Sequence, residues 1–254
     1  MVTSKENMYK LGLLGKNISY SFSREYFRNK FKKEDIDSVN YDNFDIQDIS
    51  SFPEIIKNTE GLKGLNVTIP YKEAVIPYLD KLNKKAKEIG AVNTIKITKK
   101  GKLVGYNTDC YGFKKTLEPF LKKHHKTALI LGTGGASKAV LYTLKQKNIK
   151  CHYVSRRASK HVKYTYADLN EKIISKHQII INCTPLGTFP NVHECPDIPY
   201  QGITNKHILF DLIYNPEETK FLSQGKQNGA VIINGLNMLK LQAEKAWSIW
   251  NIMN

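Results

Sequence analysis

Short apolar runs alternate along the chain with longer stretches whose apolar positions recur every three or four residues, the pattern of strands alternating with amphipathic helices. The early part predicts strands at Tyr9–Gly15, Val39–Phe44 and Leu62–Ile69, with helices over Arg24–Phe31 and Gln47–Asn58 between them. Pro70 and Pro77 punctuate the next stretch, and a helical pattern resumes over Lys81–Ile89. Val92–Ile97 and Lys102–Gly105, separated by Lys99-Lys100-Gly101, predict a hairpin closed by a glycine turn. After a helix over Tyr111–Lys123 come the apolar strand Thr127–Leu131, a run of glycines and a helix to about Lys147. Strands follow at Lys150–Val154, Gln178–Asn182, His207–Leu212 and Ala230–Ile233. The last helix starts at Leu236 and is read to the C-terminus, with Leu239, Ala243, Ala246, Trp247 and Trp250 on one face. This alternation predicts an α/β fold with mainly parallel sheets. A domain boundary is expected near Asn107–Asp109, and a cleft between two such domains is a favoured place for a small ligand.

Composition fits a globular chain of one to two domains: 254 residues, 41% hydrophobic and 24% charged. No apolar run approaches the ~20 residues of a membrane span. The first seven residues hold no apolar segment of the ~7–15 that a secretion signal requires. Cys110, Cys151, Cys183 and Cys195 are scattered without a C-x-x-C pair, which argues against a disulfide framework and a metal site. The expectation is a protein of a reducing cytoplasm, monomer or homodimer, with no membrane partner.

Charge sharpens this picture. The net charge is +16, and between Pro119 and Ala167 eleven Lys or Arg residues occur without one Asp or Glu. Such a stretch reads either as a solvated basic face or as a site for a phosphorylated ligand. No aromatic RNA-binding pattern, zinc finger or basic region with heptads accompanies it, so no nucleic-acid partner is expected.

Gly132-Thr133-Gly134-Gly135-Ala136-Ser137 follows a predicted strand and opens a predicted helix, the context that the dinucleotide-binding fingerprint demands. Glycines let the backbone approach a pyrophosphate, and the helix N-terminus offers N–H donors. Ser137 stands where that pattern has its third glycine. About 20 residues on, NAD enzymes place an acid for the ribose hydroxyl. Here the strand runs instead into Ser155-Arg156-Arg157-Ala158-Ser159-Lys160. Guanidinium forks suit a phosphate, so NADP is expected over NAD.

Polar clusters sit where early strands end. Ser21 and Ser23 could bind a carboxylate or cap the helix at Arg24. Asn66 and Thr68 share a strand face, with Lys72 just beyond. Gly90-Ala91-Val92-Asn93-Thr94 and Gly105-Tyr106-Asn107-Thr108-Asp109 add two more.

Taken in order, these motifs resemble the shikimate dehydrogenase family over nearly the whole chain. The resemblance is carried by Ser21-Phe22-Ser23, Asn66-Val67-Thr68-Ile69-Pro70-Tyr71-Lys72, Gly90-Ala91-Val92-Asn93-Thr94 and Asn107-Thr108-Asp109. It continues in Gly132-Thr133-Gly134-Gly135-Ala136, Asn182-Cys183-Thr184-Pro185-Leu186-Gly187, Asp211-Leu212-Ile213-Tyr214-Asn215-Pro216 and Gly235-Leu236-Asn237-Met238-Leu239-Lys240-Leu241-Gln242. Three positions depart from the family pattern: Arg24 replaces a common Pro, Cys110 a common Gly, and Ser155-Arg156-Arg157 the usual Asn-Arg-Thr.

The resemblance implies a substrate domain with a mixed, mainly parallel sheet, residues 1–107 joined by 237–254, and an NADP-binding Rossmann domain over 108–236. It implies reversible NADPH-dependent reduction of 3-dehydroshikimate to shikimate. By it, Lys72 is the proton donor and Asp109 its partner. Ser21 and Ser23 hold the carboxylate with Thr68 and Tyr214 nearby, and Asn66, Asn93, Asp109 and Gln242 read ring hydroxyls. Gly132, Thr133, Gly134, Gly135 and Ala136 take the pyrophosphate, Ser155, Arg156, Arg157 and Lys160 the ribose phosphate. Thr184, Ile213 and Gly235 line the nicotinamide side. A quinate/shikimate dehydrogenase is one alternative; a catalytically inactive NADP sensor or nucleic-acid-binding protein on this fold is another.

Overall fold

The computed structural model describes residues 8–19 and 21–250. Expectations that fall on residues 1–7, Tyr20 and 251–254, including the run of the last helix to the C-terminus, lie outside the described residues. The chain divides into two compact units, one taking in the residues up to Thr108 and from Ala243 onward, the other Asp109–Gln242.

The first unit contains β1 (Tyr9–Gly15), α1 (Phe22–Lys33), β2 (Val39–Asp45), α2 (Phe52–Asn58), β3 (Leu62–Val67), α3 (Tyr71–Ala74), β4 (Lys81–Leu82), α4 (Lys84–Ile89), β5 (Thr94–Ile97) and β6 (Leu103–Tyr106). Its sheet has the order β2-β1-β3-β5-β6-β4. β1 runs parallel to β2 and β3, and β4 parallel to β6, while β5 is antiparallel to both its neighbours. Successive strand residues point to opposite faces, and each face is buried in its own cluster. Leu11, Leu13, Phe27, Phe31 and Tyr41 pack with Ala243, Ala246 and Trp250 from the end of the chain. Leu14, Phe52, Leu65, Val67, Val75 and Ile95 form the other cluster. Burying side chains of this size stabilises by about 1.5–3 kcal/mol each. The Trp250 indole also donates to the Ile95 carbonyl at 2.9 Å, which fixes that residue to β5.

Two expected helices differ here for reasons of local chemistry. The helix expected over Lys81–Ile89 begins only at Lys84. Asn83 caps it by accepting from the Lys85 N–H at 3.0 Å, while Lys81 and Leu82 pair with β6 as a short strand. The helix expected over Gln47–Asn58 is divided: Asp48 caps a single turn at Ile49–Ser51, and Pro53 lies in the first turn of α2, where its missing N–H costs nothing. β3 stops at Val67, short of the Ile69 expected, just before Pro70, which has no N–H to give to a ladder.

The second unit contains α5 (Asp109–Leu117), β7 (Thr127–Leu131), α6 (Gly135–Gln146), β8 (Lys150–Ser155), β9 (Tyr164–Thr165), α7 (Glu171–Ser175), β10 (Ile179–Asn182), β11 (Ile208–Asp211), α8 (Lys220–Gln227), β12 (Val231–Ile233) and the start of α9 (Leu236–Trp250). All six strands are parallel, in the order β12-β11-β10-β7-β8-β9. The order reverses direction between β7 and β10, the switch point where doubly wound sheets bind ligands. α5 ends at Leu117 rather than Lys123, because Pro119 turns the next residues into a short 3-10 segment. The division of α9 follows its contacts: Met238 packs into the core of this unit, Ala243, Ala246 and Trp250 into that of the first.

Several histidines of the second unit are built in as neutral rings. His125 Nδ1 accepts from the Lys122 N–H at 2.8 Å, and His207 Nδ1 accepts from the Thr204 N–H at 3.0 Å. His152 Nδ1 and His177 Nε2 lie 2.9 Å apart, so one ring must accept and stay unprotonated. Burial holds all four below the ordinary histidine value. A depressed folded value gives stability that is present above the unfolded value, ~6.5, and is lost as pH falls through the folded one. Asp211, pushed up to about 6 by burial, pulls the other way. The melting temperature is therefore expected to fall between pH 7 and pH 5.5, with a shallower slope in His177→Gln. Calorimetry giving a flat profile for the parent protein would remove the histidines from this role.

Candidate active site

In the first unit the residues predicted to read a ligand are joined by hydrogen bonds between buried side chains. Asn66, on β3, donates from Nδ2 to the Asn93 carbonyl and to Thr94 Oγ1, both at 3.3 Å. Its Oδ1 accepts from the Tyr41 hydroxyl at 2.8 Å. Asn93 donates to Thr108 Oγ1 at 2.9 Å and accepts the Thr108 N–H at 2.7 Å. The ladder thus ends one residue before Asp109, the buried first residue of α5. Asn66, Asn93, Thr94 and Thr108 are all buried, and each buried amide left without a partner would cost about 1–3 kcal/mol. Lys72 is half-buried in α3, and its carbonyl accepts the Val92 N–H at 2.7 Å, which ties it to the segment leading into Asn93.

Ser21 caps α1, its Oγ accepting from the Arg24 N–H at 3.4 Å, so the capping role expected of it is filled. Ser23 is buried in the first turn of α1. Thr68 follows β3 half-buried, its N–H bonded to the Leu14 carbonyl at 2.9 Å.

In the second unit the glycine turn lies at the carboxyl end of β7. Gly132 has a φ of 98°, and its N–H bonds the Val154 carbonyl at 2.9 Å, which ties the turn to the end of β8. A Cβ there would be strained by that φ and would crowd the Thr184 methyl at 3.1 Å, so the turn and the end of β10 close on each other. Gly134 is the N-cap of the twelve-residue helix α6, and a Cβ built on it meets nothing within 4 Å. Thr133 beside it is exposed. Open space at an unsatisfied helix N-terminus is what a pyrophosphate needs. Gly135 and Ala136 form the first turn of α6, and Ser137, in the third-glycine position, folds its hydroxyl back to the Gly134 carbonyl at 2.7 Å.

At the end of β8, Ser155 is half-buried, and Arg156, Arg157 and Lys160 are exposed. Among the described residues none of these three cations has an ion-pair partner, so the loop is free to meet an anion. No hydrogen bond joins their side chains to the glycine turn.

Thr184 and Ile213 are held by a network that sequence reasoning recorded only as motif letters. Asp211 is fully buried at the end of β11 and accepts from three donors: Asn182 Nδ2 at 3.1 Å, the Ile213 N–H at 3.0 Å and the Thr219 hydroxyl at 2.7 Å. Asn182 Oδ1 in turn accepts the Thr184 N–H at 3.0 Å and its hydroxyl at 2.6 Å. The Thr184 hydroxyl proton is therefore committed to the protein. Gly235 bonds the Ile213 carbonyl at 2.9 Å, and a Cβ there would lie 2.1 Å from the Leu212 carbonyl oxygen, so only glycine fits. Tyr214 is half-buried, and burial pushes its phenol up. Gln242 is buried on α9 and donates to the Leu239 carbonyl at 3.0 Å. The signal that could have found Asn182 and Asp211 is a polar residue ending an otherwise apolar, fully buried strand. Among the described residues no group of three or more His, Cys, Asp or Glu side chains is arranged to hold a metal ion.

Residues 13–95 match the shikimate dehydrogenase substrate binding domain. A shikimate dehydrogenase (NADP(+)) of Clostridium botulinum is 38% identical over 253 residues, covering 96% of this chain and 96% of that protein. The crystal structure of shikimate dehydrogenase 1 from Peptoclostridium difficile is 38% identical with a TM-score of 0.81, covering 96% of this chain and 91% of that one. A shikimate 5-dehydrogenase from Thermus thermophilus, solved in complex with NADP(H) and shikimate, is 26% identical with a TM-score of 0.84, covering 96% and 94%.

The buried carboxyl of Asp211 gives a stability test that needs no ligand. Asp211→Ala leaves three donors without their acceptor and is expected to cost about 2–3 kcal/mol in urea unfolding, against about 1 kcal/mol for Thr219→Val. Equal, small losses in both would show that the carboxyl does not organise the strand ends.

Proposed function

This chain belongs to the shikimate dehydrogenase family, and on that premise we propose that it catalyses the reversible NADPH-dependent reduction of 3-dehydroshikimate to shikimate, in the pathway that leads to the aromatic amino acids. The observation that carries this reading is the glycine turn at the switch point of the second sheet, followed at the end of β8 by two arginines where an NAD enzyme has an acid. The residues fit an NADP-type cofactor: α6 begins without a side-chain cap beside an open Gly134, and Arg156, Arg157 and Lys160 offer charge to a ribose phosphate. When bound, that cofactor supplies the hydride.

The chain's own residues do the rest. Lys72 gives a proton to the oxygen that becomes the alcohol and stabilises its developing charge. Asp109 orients that ammonium. Ser21 and Ser23, with Thr68 and Tyr214, hold the carboxylate, and Asn66, Asn93 and Gln242 read ring hydroxyls. Such a site selects by leaving its own buried groups unpaired when a hydroxyl is missing. The scattered spacing of the four cysteines, without a C-x-x-C pair, supports placement in a reducing cytoplasm.

The direct test is a rise in reduced-nicotinamide absorbance with shikimate and NADP. Lys72→Ala is expected to lower turnover by about 10²–10⁴-fold while shikimate still raises the melting temperature; near-normal turnover would remove Lys72 from the mechanism. Replacing Arg156 and Arg157 together by Ser is expected to raise the KM for NADP by at least about tenfold and leave that for NAD nearly unchanged. A parallel change for both cofactors would point away from the phosphate.

A further inference from the structure

Tyr41 carries no motif and was legible only as one residue of a strand, yet its hydroxyl begins the polar ladder that runs through Asn66 to Thr108. The order β2-β1-β3 puts it two strand spacings from Asn66, roughly 9–10 Å. Tyr41 stands opposite Leu11, and Asn66 opposite Leu13, so both project from the same face of the sheet. Only a side chain as long as tyrosine bridges that gap. Its ring is locked in place: Phe27 stacks on it with centroids 4.5 Å apart, and Trp250 lies 6.4 Å away.

The hydrogen-bond polarity of the ladder follows from one group that can only accept. The Asn93 carbonyl faces the Asn66 amide at 3.3 Å, so the atom facing it must be Nδ2. Oδ1 must then face Tyr41, and the phenol must donate. Both N–H groups of Asn66 are thereby used, on the Asn93 carbonyl and Thr94 Oγ1. What Asn66 retains for a ligand is one lone pair on Oδ1.

We propose that Tyr41 is a positioning residue of the substrate site, which fixes the Asn66 amide as a hydrogen-bond acceptor for a ligand hydroxyl. This rests on the proposed shikimate substrate. The site is thereby specified for a cyclic polyol whose hydroxyl donates at Asn66, and against a ring carbonyl in that place. Without the phenol, the Oδ1 of Asn66 loses its donor and the amide is free to tilt.

Tyr41→Phe keeps the stacked ring and removes only the hydroxyl. The KM for shikimate is expected to rise about 5–20-fold, with the KM for NADP and kcat within about twofold. In the background of Asn66→Ala the same change is expected to add little, because the coupling runs through that amide. A purely structural hydroxyl would instead lower the melting temperature and leave the shikimate KM unmoved. An unchanged shikimate KM, full additivity with Asn66→Ala, or an equal rise for NADP each overturns the proposal. Should the variant not fold, the parent protein gives an independent reading by NMR. The two Asn66 side-chain amide protons are expected as separate, exchange-protected signals; a freely exchanging pair overturns it. Absence of shikimate oxidation by the parent protein overturns the substrate reading itself, which separates the two failures.

Discussion

A side-chain amide taken out of water must find partners for its donors and its acceptor, at a cost of about 1–3 kcal/mol for each group left unmet. That obligation organises both units at the ends of their strands. In the first it makes Asn66, Asn93, Thr94 and Thr108 satisfy one another and recruits Tyr41 from two strands away. In the second it makes Asn182 and Asp211 answer each other across β10 and β11, so that the backbone of Thr184 and Ile213 is set by side chains behind it. Orientation at such a site is decided before any ligand arrives, because each group has already been assigned its role as donor or acceptor.

Much of this was legible in the chain itself. The alternation of apolar runs with helical periods located the long strands and helices, because burial on one or both faces imposes those periods. The hairpin glycine and the glycine turn after β7 were readable because a positive φ selects for glycine. What was not legible has physical causes. Lys81 and Leu82 form too short a strand to carry a period, and the cap at Asn83 decides where the helix begins. β9 and α7 escape for the same reason of length.

The site was readable unevenly. Lys72, Asp109 and the serines stood out through linked motifs, since they lie in continuous stretches of sequence. Tyr41 could not stand out, because an aromatic in a strand is ordinarily core, and its ring is indeed buried against Phe27. Only the partner two strands away distinguishes its hydroxyl from a phenylalanine's edge. Gln242 was hidden for a related reason: its place on α9 is set by packing at the buried Gly112 of α5, which lies far away in sequence.

Ala243, Ala246 and Trp250 complete the cluster in which Tyr41, on one face of the first sheet, packs with Phe27 and Phe31 of α1. Strands made early are therefore sealed by residues made much later. At about 5–20 residues per second of synthesis, those aromatics wait on the order of ten seconds on the ribosome for their cover. The contiguous unit from Asp109 to Gln242 is complete before that cover arrives. The aromatic face of the first sheet therefore stays uncovered while the whole of the second unit is being synthesised, a cost in exposure that follows from closing one unit with residues far along the chain.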